Sequence, residues 1–166
     1  MNSSLVWRGY GTPKRRAKSN TCSYTTSTRL DIPAGWPILN IMRVLTVRQP
    51  WASLIASGRK TIEVRSRSTR YRGPVAILAG KGRDPECGST VYPAGVIICV
   101  VDLTDCVDLD PSHNRASCLS AIRFAQCIGH YAWVLRAPRD VRHITARGQL
   151  GLIRPSPAIA ALLGEA

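Results

Sequence analysis

The chain has 166 residues, room for one ordinary domain and a tail, and 23 Lys and Arg against 10 Asp and Glu give a net charge of +13. This charge predicts attraction to nucleic acid, whereas an anionic membrane would require a basic amphipathic helix that the sequence does not show. No apolar stretch is long enough to span a bilayer and no secretory signal is evident, so we expect a cytoplasmic protein. The six cysteines lack metal-ligand spacing, and we expect a monomer without metal or cofactor.

Residues 1–41 differ from the rest of the chain in composition. They hold six basic residues against one acidic residue, and 21–28 consist only of Ser, Thr, Cys and Tyr. Too few apolar groups are present to offset the entropy of folding, which predicts a disordered basic tail. The tail is interpreted as a phosphate-binding arm, as an organelle transit peptide, or as residues upstream of a natural start at Met42.

From Met42 onwards, short apolar runs alternate with turn residues. Pro50 suits the start of a helix that stops at Gly58, and Gly80 is expected to close the third strand. Trp51 lies on the apolar face of the helix and is expected in the core. The predicted elements before residue 94 are a strand over 44–47, a helix over 51–57, strands over 61–65 and 75–78, and loops over 66–72 and 82–93.

The strongest strand signal is the mostly β-branched segment 94–107, which is expected to bend or bulge. The Tyr131 and Trp133 side chains share one side of a later strand, which either packs in the core or lines a cleft. These patterns predict a mainly β (α+β) fold with short helices, a small barrel formed by a single domain over 42–155, followed by a short extension over 156–166. The remaining predicted elements are a helix over 116–127, strands over 131–135, 141–144 and 150–153, and a helix over 158–163.

Positive charge is concentrated between Arg43 and Arg83, where ten basic residues accompany one acidic residue, Glu63. Arginines can fork onto phosphates or base edges, and Tyr71 stands between two of them as a stacking surface. Gln149, between nearby glycines, either bonds a base edge or is a turn residue. We predict that RNA or single-stranded nucleic acid is bound by Arg48, Gln49, Lys60, Glu63, Arg65, Arg70, Tyr71, Arg72, Lys81 and Gln149.

Lys60 and Glu63 are the candidate catalytic residues. Glu63 and Arg65 point to the same face of an extended strand, and a turn before the strand can bring Lys60 beside them. A Lys and a carboxylate held close can act as a general acid and base. The alternative is an ion pair through which Glu63 only orients Lys60 or Arg65 for ligand binding.

Six blocks, in one order, resemble the ASCH domain family. They are LTVRQPWASLI over 45–55, GRKTIEVRS over 58–66, TRYRGP over 69–74 leading to AGK over 79–81, the strand from Gly95 to Cys106, YAWVL over 131–135 and RGQLGL over 147–152. The resemblance implies a PUA-like β-barrel with a cleft lined by these polar residues, and RNA binding. Some relatives hydrolyse the acetyl amide of N4-acetylcytidine and others are ribonucleases. A hydrolase acting on RNA or on a modified nucleoside is therefore the alternative function.

The residues of the acetylcytidine-hydrolysing relatives carry over only in part. In those relatives a Lys is followed three residues later by a Thr nucleophile. Lys60 matches that Lys, but Glu63 occupies the Thr position, and Thr61 lies one residue from Lys60 instead of three. We therefore do not expect the same amidohydrolase mechanism, and catalysis would have to use Lys60 and Glu63 in another way.

Overall fold

The computed structural model describes residues 42–85 and 89–164, without the side chain of Arg83, so the predicted tail over 1–41 lies outside the described residues. The described part of the chain contains six strands, four short α-helices and a 3-10 turn at Pro111–His113. The strands are β1 Arg43–Gln49, β2 Ile62–Arg65, β3 Gly73–Arg83, β4 Val96–Asp108, β5 Tyr131–Thr145 and β6 Leu152–Ile153. The helices are α1 Trp51–Ala56, α2 Asn114–Ser117, α3 Ala121–Gln126 and α4 Pro157–Gly164. None of the described helices is long and apolar enough to cross a membrane.

The six strands form one sheet in the order β2-β5-β4-β3-β1-β6. β1 and β3 pair in parallel, and every other neighbouring pair is antiparallel. The sheet curls so that β2, at one end of the order, returns to β1 near the other end. There the Nη2 of Arg65 donates to the Thr46 carbonyl over 3.0 Å. This curled sheet with short helices confirms the predicted mainly β, barrel-like fold.

The pairing of the two longest strands, β4 and β5, is irregular. The pairing of β4 with β5 shifts register at three points, and between Leu103 and Asp105 the extra residue lies on β4, which confirms the predicted bulging of that strand. β5 is one strand, whereas the sequence predicted two strands separated by residues 136–140. The full length of β4 offers it a partner, so the irregular residues Ala137, with a φ of 47°, and Pro138 are accommodated where the pairing passes from Arg136 to Arg139.

Two other predicted boundaries are wrong. β3 continues past Gly80 to Arg83 because its last residue still pairs with Gln49 of β1. The predicted helix over 116–127 is broken into α2 and α3 at Cys118, whose φ is 54°. The Ser117 carbonyl, which a continuous helix would use for its own hydrogen bond, accepts instead from Lys60 over 2.5 Å.

Apolar side chains pack on both faces of the sheet. One core cluster joins α1, through Ala52 and Ile55, to the inner face of the central strands. Trp133 is 5% exposed in this cluster and its indole N–H donates to the Arg67 carbonyl over 3.1 Å, so this side of β5 belongs to the core. The second cluster lies on the other face and includes the fully buried Leu163 of α4. The C-terminal helix is therefore packed onto the sheet.

Candidate nucleic-acid interface

An open cleft of about 1010 Å³ lies where the curled sheet brings β1 and β2 together. Its walls come from β1, β2, the end of β3 and the segment 145–151, which includes the end of β5 and the loop before β6. The polar residues that line it are Thr46, Arg48, Glu63, Arg65, Lys81, Thr145, Arg147 and Gln149, together with Trp51.

Thr46 fixes the segment 145–151 against β1. Its Oγ1 accepts from the backbone N–H of Gln149 over 3.1 Å. A Cβ built on Gly148 would lie 3.1 Å from the Thr46 Cγ2, and one on Gly80 would lie 3.2 Å from it. Glycine at these two positions lets the backbone approach Thr46 closely, and this contact places Arg147 and Gln149 at the cleft.

A chain of ion pairs forms the floor. The Oε1 of Glu63 lies 3.1 Å from the Nη2 of Arg65, and its Oε2 lies 3.4 Å from the Nζ of Lys60. Lys60 is 2% exposed and also donates to the carbonyls of Ile62 over 2.7 Å and Ser117 over 2.5 Å. Two donors of its ammonium group are used by these carbonyls, and the Glu63 carboxylate lies beside the same group. Lys60 therefore joins β2 to α2 beneath the cleft, while Glu63 and Arg65 reach the cleft itself.

Three exposed cations, Arg48, Lys81 and Arg147, stand around the floor. None of them forms an ion pair with another residue in the part of the chain that the structure describes. Together with Arg65 they set four positive charges against the single negative charge of Glu63. We call Arg48, Lys81 and Arg147 the rim cations.

Trp51 lines the cleft at the start of α1, although it also packs against the margin of the first core cluster. The Arg123 guanidinium lies 5.3 Å from the centroid of its ring. Arg123 in turn pairs with the buried Asp84 carboxylate, Nη1 to Oδ2, over 2.7 Å. Arg123 of α3 thus contacts both the Trp51 indole and the Asp84 carboxylate. The expected core position of Trp51 is borne out in part, since the side chain packs against that cluster, but it also lines the cleft.

Half of the ten predicted binding residues line the cleft, namely Arg48, Glu63, Arg65, Lys81 and Gln149. Lys60 and Gln49 are not among the lining residues, and both are buried. The Gln49 amide donates to the Pro93 carbonyl over 2.9 Å and accepts from the Ser53 N–H over 3.1 Å, so it ties α1 and a loop to β1.

The structure also places Arg70, Tyr71 and Arg72 outside the cleft-lining residues. The Tyr71 hydroxyl donates to the Pro74 carbonyl over 2.7 Å, and the Arg43 guanidinium lies 5.1 Å from its ring centroid. Burial raises the pKa of Tyr71 to about 12, with a smaller opposing effect from Arg43. Arg72 pairs with Asp105 over 2.9 Å, and Arg70 is exposed.

Sequence reasoning missed Arg147, Thr46 and the cleft position of Trp51. Arg147 directly precedes Gly148 and the candidate Gln149, so its place beside a predicted binding residue was a usable signal. Thr46 gave no such signal, because its contacts join residues about a hundred positions apart.

Comparison with known proteins agrees with this architecture. The ASCH domain family model matches residues 45–141. The chain belongs to the ASCH domain family. Human and mouse activating signal cointegrator 1 are 35% and 36% identical to it, and each match covers 38% of this chain and 14% of that protein. The chain thus matches only a small part of the length of these relatives.

Solved ASCH structures share the fold. The ASCH protein from Zymomonas mobilis superposes with a TM-score of 0.60 at 18% identity, covering 75% of this chain and 94% of that one. A point variant of the same protein gives a TM-score of 0.61 at 18% identity, over 76% and 96% of the two chains. At this identity the likeness establishes the fold alone, and it confirms the predicted fold of this ASCH domain.

Proposed function

We propose that this ASCH domain binds RNA or single-stranded nucleic acid in the cleft, with backbone phosphates held by the rim cations Arg48, Lys81 and Arg147. The observation that carries the proposal is the collection of four cations around one carboxylate in a concave surface. Like charges held together repel each other, and a polyanion that enters the cleft relieves this repulsion. The family is a PUA-like fold associated with RNA binding, which supports RNA as the ligand.

The ten predicted residues have different roles in this proposal. Arg48, Lys81 and Arg65 contact the nucleic acid, and Gln149 presents its amide to a base or ribose. Lys60 and Gln49 support the cleft from below. The segment 70–72 lies outside the cleft and contributes only to the general positive field.

A charge-matched pair of variants tests the proposal. The first replaces Arg48, Lys81 and Arg147 by Gln, and the control replaces three exposed arginines outside the cleft, Arg70, Arg115 and Arg142, by Gln. Both variants lose the same charge. Affinity for a fluorescent single-stranded RNA is measured by anisotropy over a series of salt concentrations.

Each phosphate contact on a single strand contributes about −0.7 to the slope of log K against log salt. The cleft variant should therefore lose about 2 from the slope, and the control should retain most of it. Equal losses in both variants would show that the cleft is not the binding site.

The hydrolase alternative stays a prediction. The three partners of Lys60 favour the interpretation in which the Lys60–Glu63 ion pair orients Arg65. Incubation of the protein with RNA and with N4-acetylcytidine, followed by chromatography of the products, tests it. Turnover that is lost in Lys60→Ala or Glu63→Gln variants that remain folded would establish the enzyme.

A further inference from the structure

Glu63 is the one acidic residue that lines the cleft in the described part of the chain. It is 8% exposed, and each of its oxygens faces one cation, Arg65 at 3.1 Å and Lys60 at 3.4 Å. A carboxylate has about four lone-pair positions on its two oxygens, so acceptor capacity remains on each. An ionised carboxylate only accepts hydrogen bonds. A ligand group that meets the Glu63 carboxylate must therefore be a hydrogen-bond donor, whereas Arg65 beside it offers donors to acceptors.

Phosphate and base are consequently directed to different parts of the cleft. The rim cations attract the phosphates, and the floor carboxylate attracts N–H groups of a base. The indole of Trp51, in cation–π contact with Arg123, gives the cleft an aromatic wall of the kind on which bases stack. The cleft volume of about 1010 Å³ is at the upper end of the range for small-molecule sites, so a whole nucleotide has room.

The four RNA bases differ in the donors that they offer to two carboxylate oxygens. Guanine presents two adjacent donors on its Watson–Crick edge, the N1–H and the 2-amino group. Adenine and cytosine present an amino group beside an acceptor nitrogen, and uracil presents one N–H between two carbonyl oxygens. An acceptor beside the donor faces the second carboxylate oxygen and is repelled by it.

We propose that the cleft selects an unpaired guanine, whose N1–H and 2-amino group donate to the Glu63 carboxylate while its ring lies against Trp51. The inference rests on the proposed function, because the rim cations must first hold the strand. It also requires a single-stranded ligand, since the same edge of guanine is engaged in a duplex.

The test uses the unaltered chain and short oligouridines that carry one central guanosine, inosine, adenosine, cytidine or uridine. Inosine keeps the N1–H of guanosine and lacks only the 2-amino group. Bidentate base contacts discriminate by roughly tenfold, so guanosine should bind about tenfold more tightly than inosine, and more tightly than the other three. Equal affinity for all five would overturn the inference and leave the proposed function standing. Absence of binding by every oligonucleotide at low salt would overturn both.

Two variants distinguish the contribution of Glu63 to base preference from the contribution of Trp51 to affinity. Glu63→Gln replaces one acceptor by a donor. In this variant the oligonucleotides with guanosine and with inosine should bind with equal affinity. Trp51→Leu should weaken binding of all five oligonucleotides in similar proportion and keep the order among them. Full guanosine preference in a folded Glu63→Gln variant would overturn the inference. The comparison of guanosine with inosine on the unaltered chain does not depend on how these variants fold.

Discussion

Replacement of the buried Lys60 by Met should destabilise the domain strongly. The substitution removes the donor for two backbone carbonyls, those of Ile62 and Ser117, and it removes one of the two cations beside Glu63. Hydrogen bonds to a charged group contribute about 1.5–3 kcal/mol each. Breaking a buried ion pair by removal of one partner costs about 3–5 kcal/mol. The two costs overlap, so we expect the free energy of unfolding to fall by about 3–5 kcal/mol.

Urea unfolding followed by tryptophan fluorescence measures this change. With an m value of about 1–3 kcal/mol per molar, the midpoint should fall by roughly 1 M or more. Lys81→Met is the matched control, because Lys81 is exposed and has no ion pair within the described part of the chain; its cost should stay within about 0.5 kcal/mol.

A double variant sharpens the result. Lys60→Met combined with Glu63→Gln removes both charges, so its cost should be smaller than the sum of the two single costs. If Lys60→Met lowers the free energy of unfolding by less than about 1 kcal/mol, Lys60 is not the structural anchor described above. Loss of RNA turnover in such a stable variant would then favour the catalytic role.

Three further outcomes follow from particular contacts. The pKa of Tyr71 is raised from 10.0 to about 12, so stability should be unaffected by this group below pH 10 and should fall as the pH rises from 10 towards 12. Tyr71→Phe should remove a step near pH 12 from the tyrosinate absorbance titration. Persistence of that step in the variant would contradict the shift. Gly148→Ala places a Cβ 3.1 Å from the Thr46 methyl, so RNA affinity should fall. Affinity should recover when Thr46→Ser removes that methyl. No recovery would mean that this contact does not set the position of the segment 145–151. Leu163→Ala should cost about 2–5 kcal/mol in urea unfolding, whereas Leu162→Ala, at a position that is 49% exposed, should cost far less; equal costs would contradict the packing of α4 on the sheet.

Most of the fold was predictable because its signals are local. The apolar, β-branched centre of β4 and the turn residues around α1 lie in short stretches of sequence. The errors arose where a distant partner decides the structure. β5 is continuous because β4 pairs along its length, and α2 ends where Lys60 binds the Ser117 carbonyl.

The candidate site was predictable only in part, since charge along the sequence does not tell which side of the sheet a residue occupies. Arg65 and Arg72 are close in sequence, yet one lines the cleft and the other pairs with Asp105 outside it. Arg147 lies far from both in sequence and reaches the cleft because Thr46 holds the adjacent segment. Such contacts between distant residues depend on the register of the folded sheet.

Photo-crosslinking of bound RNA most directly tests whether nucleic acid occupies the cleft. A single-stranded RNA containing 4-thiouridine is bound, irradiated and digested, and the crosslinked peptides are identified by mass spectrometry. We expect crosslinks at Trp51 and within the segment 145–151, and their loss in the variant that lacks the three rim cations. Crosslinks confined to the segment 70–72, and unchanged in that variant, would contradict binding in the cleft.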